Sequence, residues 1–114
     1  MIQIKNRDRV YISGPIAGNN DYQRQFDEAE EFLRKKGFRR IINPAALSQQ
    51  IGWSWCDYMR RDIKLLMDCN YIFMLDGWGK SEGARLEIKI AKAIDIFIIK
   101  RFGDKITMIA IEEE

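Results

Sequence analysis

Short runs of β-branched and aromatic residues, each closed by a turn former, alternate along this chain with stretches whose apolar residues recur at helical spacing. That alternation leaves few folds open. "RVYIS" (9 to 13) stops at Gly14 and Pro15, "FRRIINP" stops at Pro44, and "NYIFML" runs into the glycine-rich loop "DGWGK". All three read as strands. Between the first two, Tyr22, Phe26, Ala29 and Leu33 mark a helix from about Asn20, and "RKKG" ends it with basic residues and a glycine. Ser54 followed by Asp57 has capping-box spacing, and Trp55, Met59, Ile63 and Leu66 continue as an apolar stripe. A third helix is expected from about Ser81 to Ile94, and "DIFIIK" and "KITMIAI" close the chain as two more strands. "AALSQQIGW" reads as a polar connection, and the final "EEE" as a frayed tail. The pattern predicts one α/β domain over residues 1 to 114, with an open parallel sheet of about five strands and helices on both faces. No linker, repeat or low-complexity stretch divides it.

The chemistry open to such a domain is narrowed by what it lacks. Histidine is absent, which removes Ser-His, Cys-His and histidine-ligated zinc chemistry. Catalysis must then use carboxylates, hydroxyls, amines or backbone. Nineteen basic against seventeen acidic residues leave a net charge of +2, too small a bias to imply a nucleic acid or an anionic membrane. The basic stretch "LRKKGFRR" lies at a helix C-terminus, where it complements the dipole, so no nucleic-acid partner is expected. Cys56 and Cys69 lack metal-type spacing and no apolar run reaches the ~18 residues of a membrane span, so a reduced, cytoplasmic protein is expected.

In open α/β sheets, ligands bind beyond the carboxyl ends of the strands near the topological switch point. Two stretches fall there. After the first strand, "SGPIAGNND" (Ser13, Gly14, Pro15, Ile16, Gly18) offers glycines and backbone N–H groups suited to an anion or a sugar hydroxyl. It matches neither GxGxxG nor the P-loop, and no cofactor or metal is expected. The same spacing suits a plain turn. After "NYIFML" come Asp76, Trp78, Ser81 and Gly83. Trp78 is the one tryptophan placed next to a crevice, and Ser81 is a good N-cap whose hydroxyl can serve that end alone. Asp62 interrupts the apolar stripe of the second helix, three residues after Met59 and four before Leu66. Either it pairs with Arg60, Arg61 or Lys64, or it turns a carboxyl towards the crevice. Glu87 has Gly83 one turn before it, Ala84 beside it and Ala91 one turn after. Those small residues leave room for a ligand against the carboxylate, or else permit close helix-to-sheet packing. The helix macrodipole is expected to favour ionised Glu87.

Taken together and in order, "YISGPI", "SWCDYMRRDI" with Asp62, "LDGWGKSEGARLE" and "IAKAIDIFIIK" resemble the nucleoside 2-deoxyribosyltransferase-like superfamily, and within it the small phage- and prophage-associated branch. The likeness runs from Val10 to Lys100. It implies a flavodoxin-like or Rossmann-like fold, a homodimer or higher homo-oligomer, and cleavage of the N-glycosidic bond of a nucleoside or nucleotide. Carried onto this chain, it implies Glu87 as nucleophile, Asp62 beside the nucleobase, Tyr11 as the aromatic that orients the nucleophile, and Gly14 in the substrate loop. Retaining-glycosidase logic would follow. Ser81 stands where the deoxyribosyltransferases commonly carry an aspartate, and members acting on nucleoside monophosphates are similar there. A hydroxyl tolerates a 5′-phosphate that a carboxylate repels, so the resemblance leans towards a nucleotide and hydrolysis. Asn70, with Asp76 nearby, departs from the branch, and the chain lacks a long C-terminal extension of the kind that completes a neighbour's site in the transferases. A non-catalytic nucleotide-binding protein of the same fold is the alternative.

Overall fold

The computed structural model describes residues 2 to 111, so the terminal "EEE" lies outside the described residues. The predicted alternation is present as β1 (Arg9–Ser13), α1 (Tyr22–Lys35), β2 (Arg40–Ile42), α2 (Trp55–Met67), β3 (Tyr71–Met74), α3 (Glu82–Ala93), β4 (Phe97–Phe102) and β5 (Lys105–Met108). Short 3-10 turns at Pro44–Ala46 and Trp78–Lys80 interrupt the connections after β2 and β3. The five strands form one sheet in the order β2-β1-β3-β4-β5. Strands β1 to β4 pair in parallel, with Tyr11 opposite Ile42 on one side and Ile72 on the other. This is the flavodoxin-like order, whose switch point lies at β1.

One expectation for the sheet is corrected. β5 pairs antiparallel to β4, with Phe102 opposite Lys105. Only Gly103 and Asp104 separate the two strands, and a parallel return needs a crossover of a dozen or more residues. Gly103 has φ +60, which the tight hairpin turn requires. The strand is also shorter than "KITMIAI", ending at Met108.

Period-two alternation along β1 sorts its side chains between two cores. Val10 and Ile12 pack with Phe26, Ala29, Phe32 and Leu33 of α1, together with Phe73 and Ile99. Tyr11 faces the other side, among Leu66 of α2, Ile88 and Ala91 of α3, and Ile72, Met74 and Ile98 of the sheet. Helices therefore cover both faces. The α2 stripe differs from its expected form, because Trp55 is exposed and Ile63 only half-buried, while Asp62 is buried between Met59 and Leu66. Among the described residues no helix is long and apolar enough to cross a membrane.

Candidate functional site

On the α2/α3 side of the sheet, at the carboxyl end of β1, lies a cleft of about 530 Å³. Its floor comes from Tyr11, Ile12 and Gly14 of β1 and its exit. One wall comes from Met59, Arg61 and Asp62 of α2, and the opposite wall from Ser81, Gly83, Ala84 and Glu87 of α3 and its cap. The volume falls within the usual range for small-molecule sites.

Each element delivers its side chain for a local reason. Tyr11 and Ser13 stand two apart on β1, so both point to the same face of the sheet. Glu87 lies in the second turn of α3, on the same side as buried Ala84, Ile88 and Ala91. The helix therefore presses the carboxylate onto the sheet. There Tyr11 donates its phenolic hydrogen to Glu87 Oε2 at 2.5 Å, and Ser13 donates its hydroxyl to Oε1 at 2.8 Å. Glu87 retains only 5% of its exposure. That burial pushes its carboxyl up to about 7, against the two hydroxyl donors that favour the ionised form, and the nearby Asp62 charge adds to the rise. The expected stabilisation by the helix macrodipole is overruled, since the dipole fades beyond the first turn while desolvation acts on the whole group. Burial likewise raises the Tyr11 phenol well above its usual range, with Glu87 and Asp62 adding to it.

Asp62 meets both descriptions offered for it. It lines the cleft at 7% exposure, and its Oδ1 accepts from Arg61 Nε at 3.0 Å. Burial raises its carboxyl and the Arg61 contact opposes the rise. Asp62 and Glu87 thus face one hollow from two helices, both held towards the protonated state by their surroundings.

Ser81 lines the cleft and caps α3, its hydroxyl accepting the Ala84 N–H at 3.2 Å. Gly83 also lines it, and its lack of a side chain serves packing too, since a Cβ there would lie 3.2 Å from Met59 Sδ. The absent Cβ of Gly14 has a stricter reason, as it would stand 2.8 Å from Leu75 Cβ. Ile16 lines the cleft, whereas Pro15 and Gly18 do not. Pro15 instead sits against the Gly77 turn and accepts from Asn19 Nδ2 at 2.9 Å, and Gly18 occupies an exposed turn with φ +75. Ser13 reaches the site only through Glu87.

Two expectations in the "DGWGK" loop are corrected. Asp76 points away from the cleft, its side chain 88% exposed, to an ion pair with Lys100 at 3.2 Å. It borders a separate hollow of about 510 Å³ between α1 and the β4–β5 hairpin. Trp78 packs its ring against the α2/α3-side core instead of opening onto the cleft. The loop leaves a strand end on which side chains alternate between faces, so nearness in sequence does not place them on one side.

Several lining residues were not read as site residues from the sequence. Trp55, Tyr58 and Met59 share a face of α2 with Asp62, a spacing of three and four that was legible in the sequence. Leu47 and Gln49 line the cleft from the connection read as polar loop, and Lys80 from the turn before α3.

Residues 8 to 100 match the model of a family described as a domain of unknown function, DUF4406, and the chain belongs to that family. A search of curated proteins finds no match.

Proposed function

We propose that this protein cleaves the N-glycosidic bond of a nucleotide or nucleoside, with Glu87 as the nucleophile. The observation that carries this reading is the arrangement of Glu87, gripped through both oxygens by Tyr11 and Ser13 on the wall of a cleft that Asp62 also lines. Each carboxylate oxygen has a second lone pair, so the two hydroxyl contacts orient the group without consuming its reactivity. Attack of one oxygen on the anomeric carbon forms a glycosyl ester as the bond to the base breaks. The bonding pair leaves with the base, which takes a hydrogen bond or proton from Asp62. Water then attacks the same carbon and gives its proton to Asp62 as the ester bond breaks, which releases the sugar and returns Glu87 to a carboxylate.

A nucleoside monophosphate is the favoured substrate. The Ser81 hydroxyl accepts from Ala84 and keeps its own hydrogen for a phosphate oxygen, and exposed Lys80 on the same rim adds positive charge. On this reading the protein works in the cytoplasm as a homodimer or higher homo-oligomer on a small molecule, without a cofactor.

One observation favours a second reading. Glu87 is nearly closed off from solvent and burial favours its proton, as suits a cleft that holds a nucleotide without cleaving it. Incubation with a panel of ribo- and deoxyribonucleoside monophosphates, monitored for free base, separates the two. Base release that disappears in Glu87→Ala supports catalysis. Intact ligand with a thermal shift that survives Glu87→Gln supports binding alone.

A further inference from the structure

Residues 48 to 53 run beside the cleft, which Gln49 lines, and all six are exposed. Ile51 is fully exposed and Gly52 has φ +81. The hydrogen bonds that join this strap to the rest of the described residues run through two side chains of α2. Tyr58 clasps Gln50, its hydroxyl accepting the Gln50 N–H at 2.8 Å and donating to the Gln50 carbonyl at 3.0 Å. Arg61 donates through Nη1 to the Ser48 carbonyl at 2.9 Å. Its guanidinium also lies over the rings of Trp53 and Tyr58, at 5.6 and 5.3 Å from their centroids. The Nε of the same guanidinium donates to Asp62 Oδ1 at 3.0 Å.

We infer that Arg61 is a positioning residue that ties the 48 to 53 strap to Asp62, so that the strap and the cleft carboxyl are held as one unit. A planar fork can serve a carbonyl, a carboxylate and two aromatic faces at once, which a lysine ammonium cannot. The tie is competitive, because a ligand that draws Asp62 away from Arg61 removes one of the contacts fixing the strap. It rests on the proposed N-glycosidase reading only where it makes Asp62 the group that meets the leaving base.

Two measurements on the free protein test it. The first is hydrogen exchange of the strap amides in wild type, Arg61→Ala, Arg61→Lys and Asp62→Ala. The second is the titration of the Asp62 carboxyl followed by carbon-13 NMR, a signal that a merely structural arginine would leave in place. The charged and titratable neighbours sharing the cleft with Asp62 are Arg61 and Tyr58 on α2, Tyr11 on β1, Tyr22 on α1, Glu87 and Glu82 on α3, and Lys80 before it. Arg61→Ala is expected to speed exchange at Gln50 and Trp53 by about tenfold or more, as for a segment that loses its fastening. It should also move the Asp62 midpoint up, the effect of removing an adjacent opposite charge. Asp62→Ala should loosen the strap in the same direction, and Arg61→Lys should loosen it while moving the midpoint less. Unchanged strap exchange in Arg61→Ala, or strap loss there with none in Asp62→Ala, overturns the tie, as does an unmoved Asp62 midpoint. Should Arg61→Ala fail to fold, the Arg61→Lys pattern decides by the same criteria. Neither measurement needs turnover, so failure to release a base would count against the proposed activity alone.

Discussion

Tyr11 and Glu87 stand 76 positions apart in the chain, yet the phenol of one donates to the carboxylate of the other at 2.5 Å in the protein interior. The contact joins β1 to the third helix. It places Glu87, the one buried glutamate among the described residues, at the wall of the cleft, with its second oxygen held by Ser13.

If Glu87 attacks the sugar, Glu87→Gln and Glu87→Ala should each lower base release by on the order of 10³-fold or more, as for loss of a covalent nucleophile. Steady-state assays of both variants, with folding checked by circular dichroism, test this. A rate within tenfold of wild type excludes the role.

The pH dependence of that activity follows from the buried carboxyl. Glu87 must be ionised to attack and its carboxyl is pushed up to about 7. Activity should therefore fall as pH drops through neutrality, with an ascending limb of kcat/KM near that value. A limb near the ordinary carboxylate range, around pH 4 to 5, would show that another group controls the rate.

Stability should respond to the same proton in the opposite sense. The folded carboxyl at about 7 lies above its ordinary 4.5, so the native state binds the proton more tightly than the unfolded chain. Its contribution is complete below about pH 4.5 and is lost as pH rises through about 7, amounting to about 3 kcal/mol at most. Urea unfolding of wild type and Glu87→Gln across that window should show the variant gaining on wild type as pH rises. Parallel curves would mean that Glu87 is not desolvated in solution.

Removing the phenolic hydroxyl with Tyr11→Phe leaves Glu87 Oε2 buried without its donor. The expected cost is about 1 to 3 kcal/mol at pH 8, where the carboxylate is charged, and less at pH 5. The ascending limb of activity should also move to higher pH. Equal losses at both pH values would show that the hydroxyl acts on something other than the charge.

Gly14→Ala should destabilise by about 1 to 3 kcal/mol, since its Cβ would lie 2.8 Å from Leu75 Cβ and the chain must shift at the cleft floor. Chemical denaturation measures this directly. A change below half a kcal/mol would mean that the β1 exit yields freely.

Residue types and their spacing were enough to determine the α/β alternation, the two-sided cover of the sheet, the capping box at Ser54 and the suspicion attached to Glu87 and Asp62. Those features depend on local periodicity and on the rarity of a carboxylate on an apolar helix face. Only the tertiary structure decided what distance and side decide. It folded β5 back antiparallel through a two-residue turn, sent Asp76 to the far side of the sheet, and packed a half-buried Trp78 against the core. It also gave Asp62 both an ion pair and a place on the cleft, where the sequence left one or the other. The protonation of Glu87 was decided there as well, because desolvation depends on how many neighbours close around a group and not on its place along a helix.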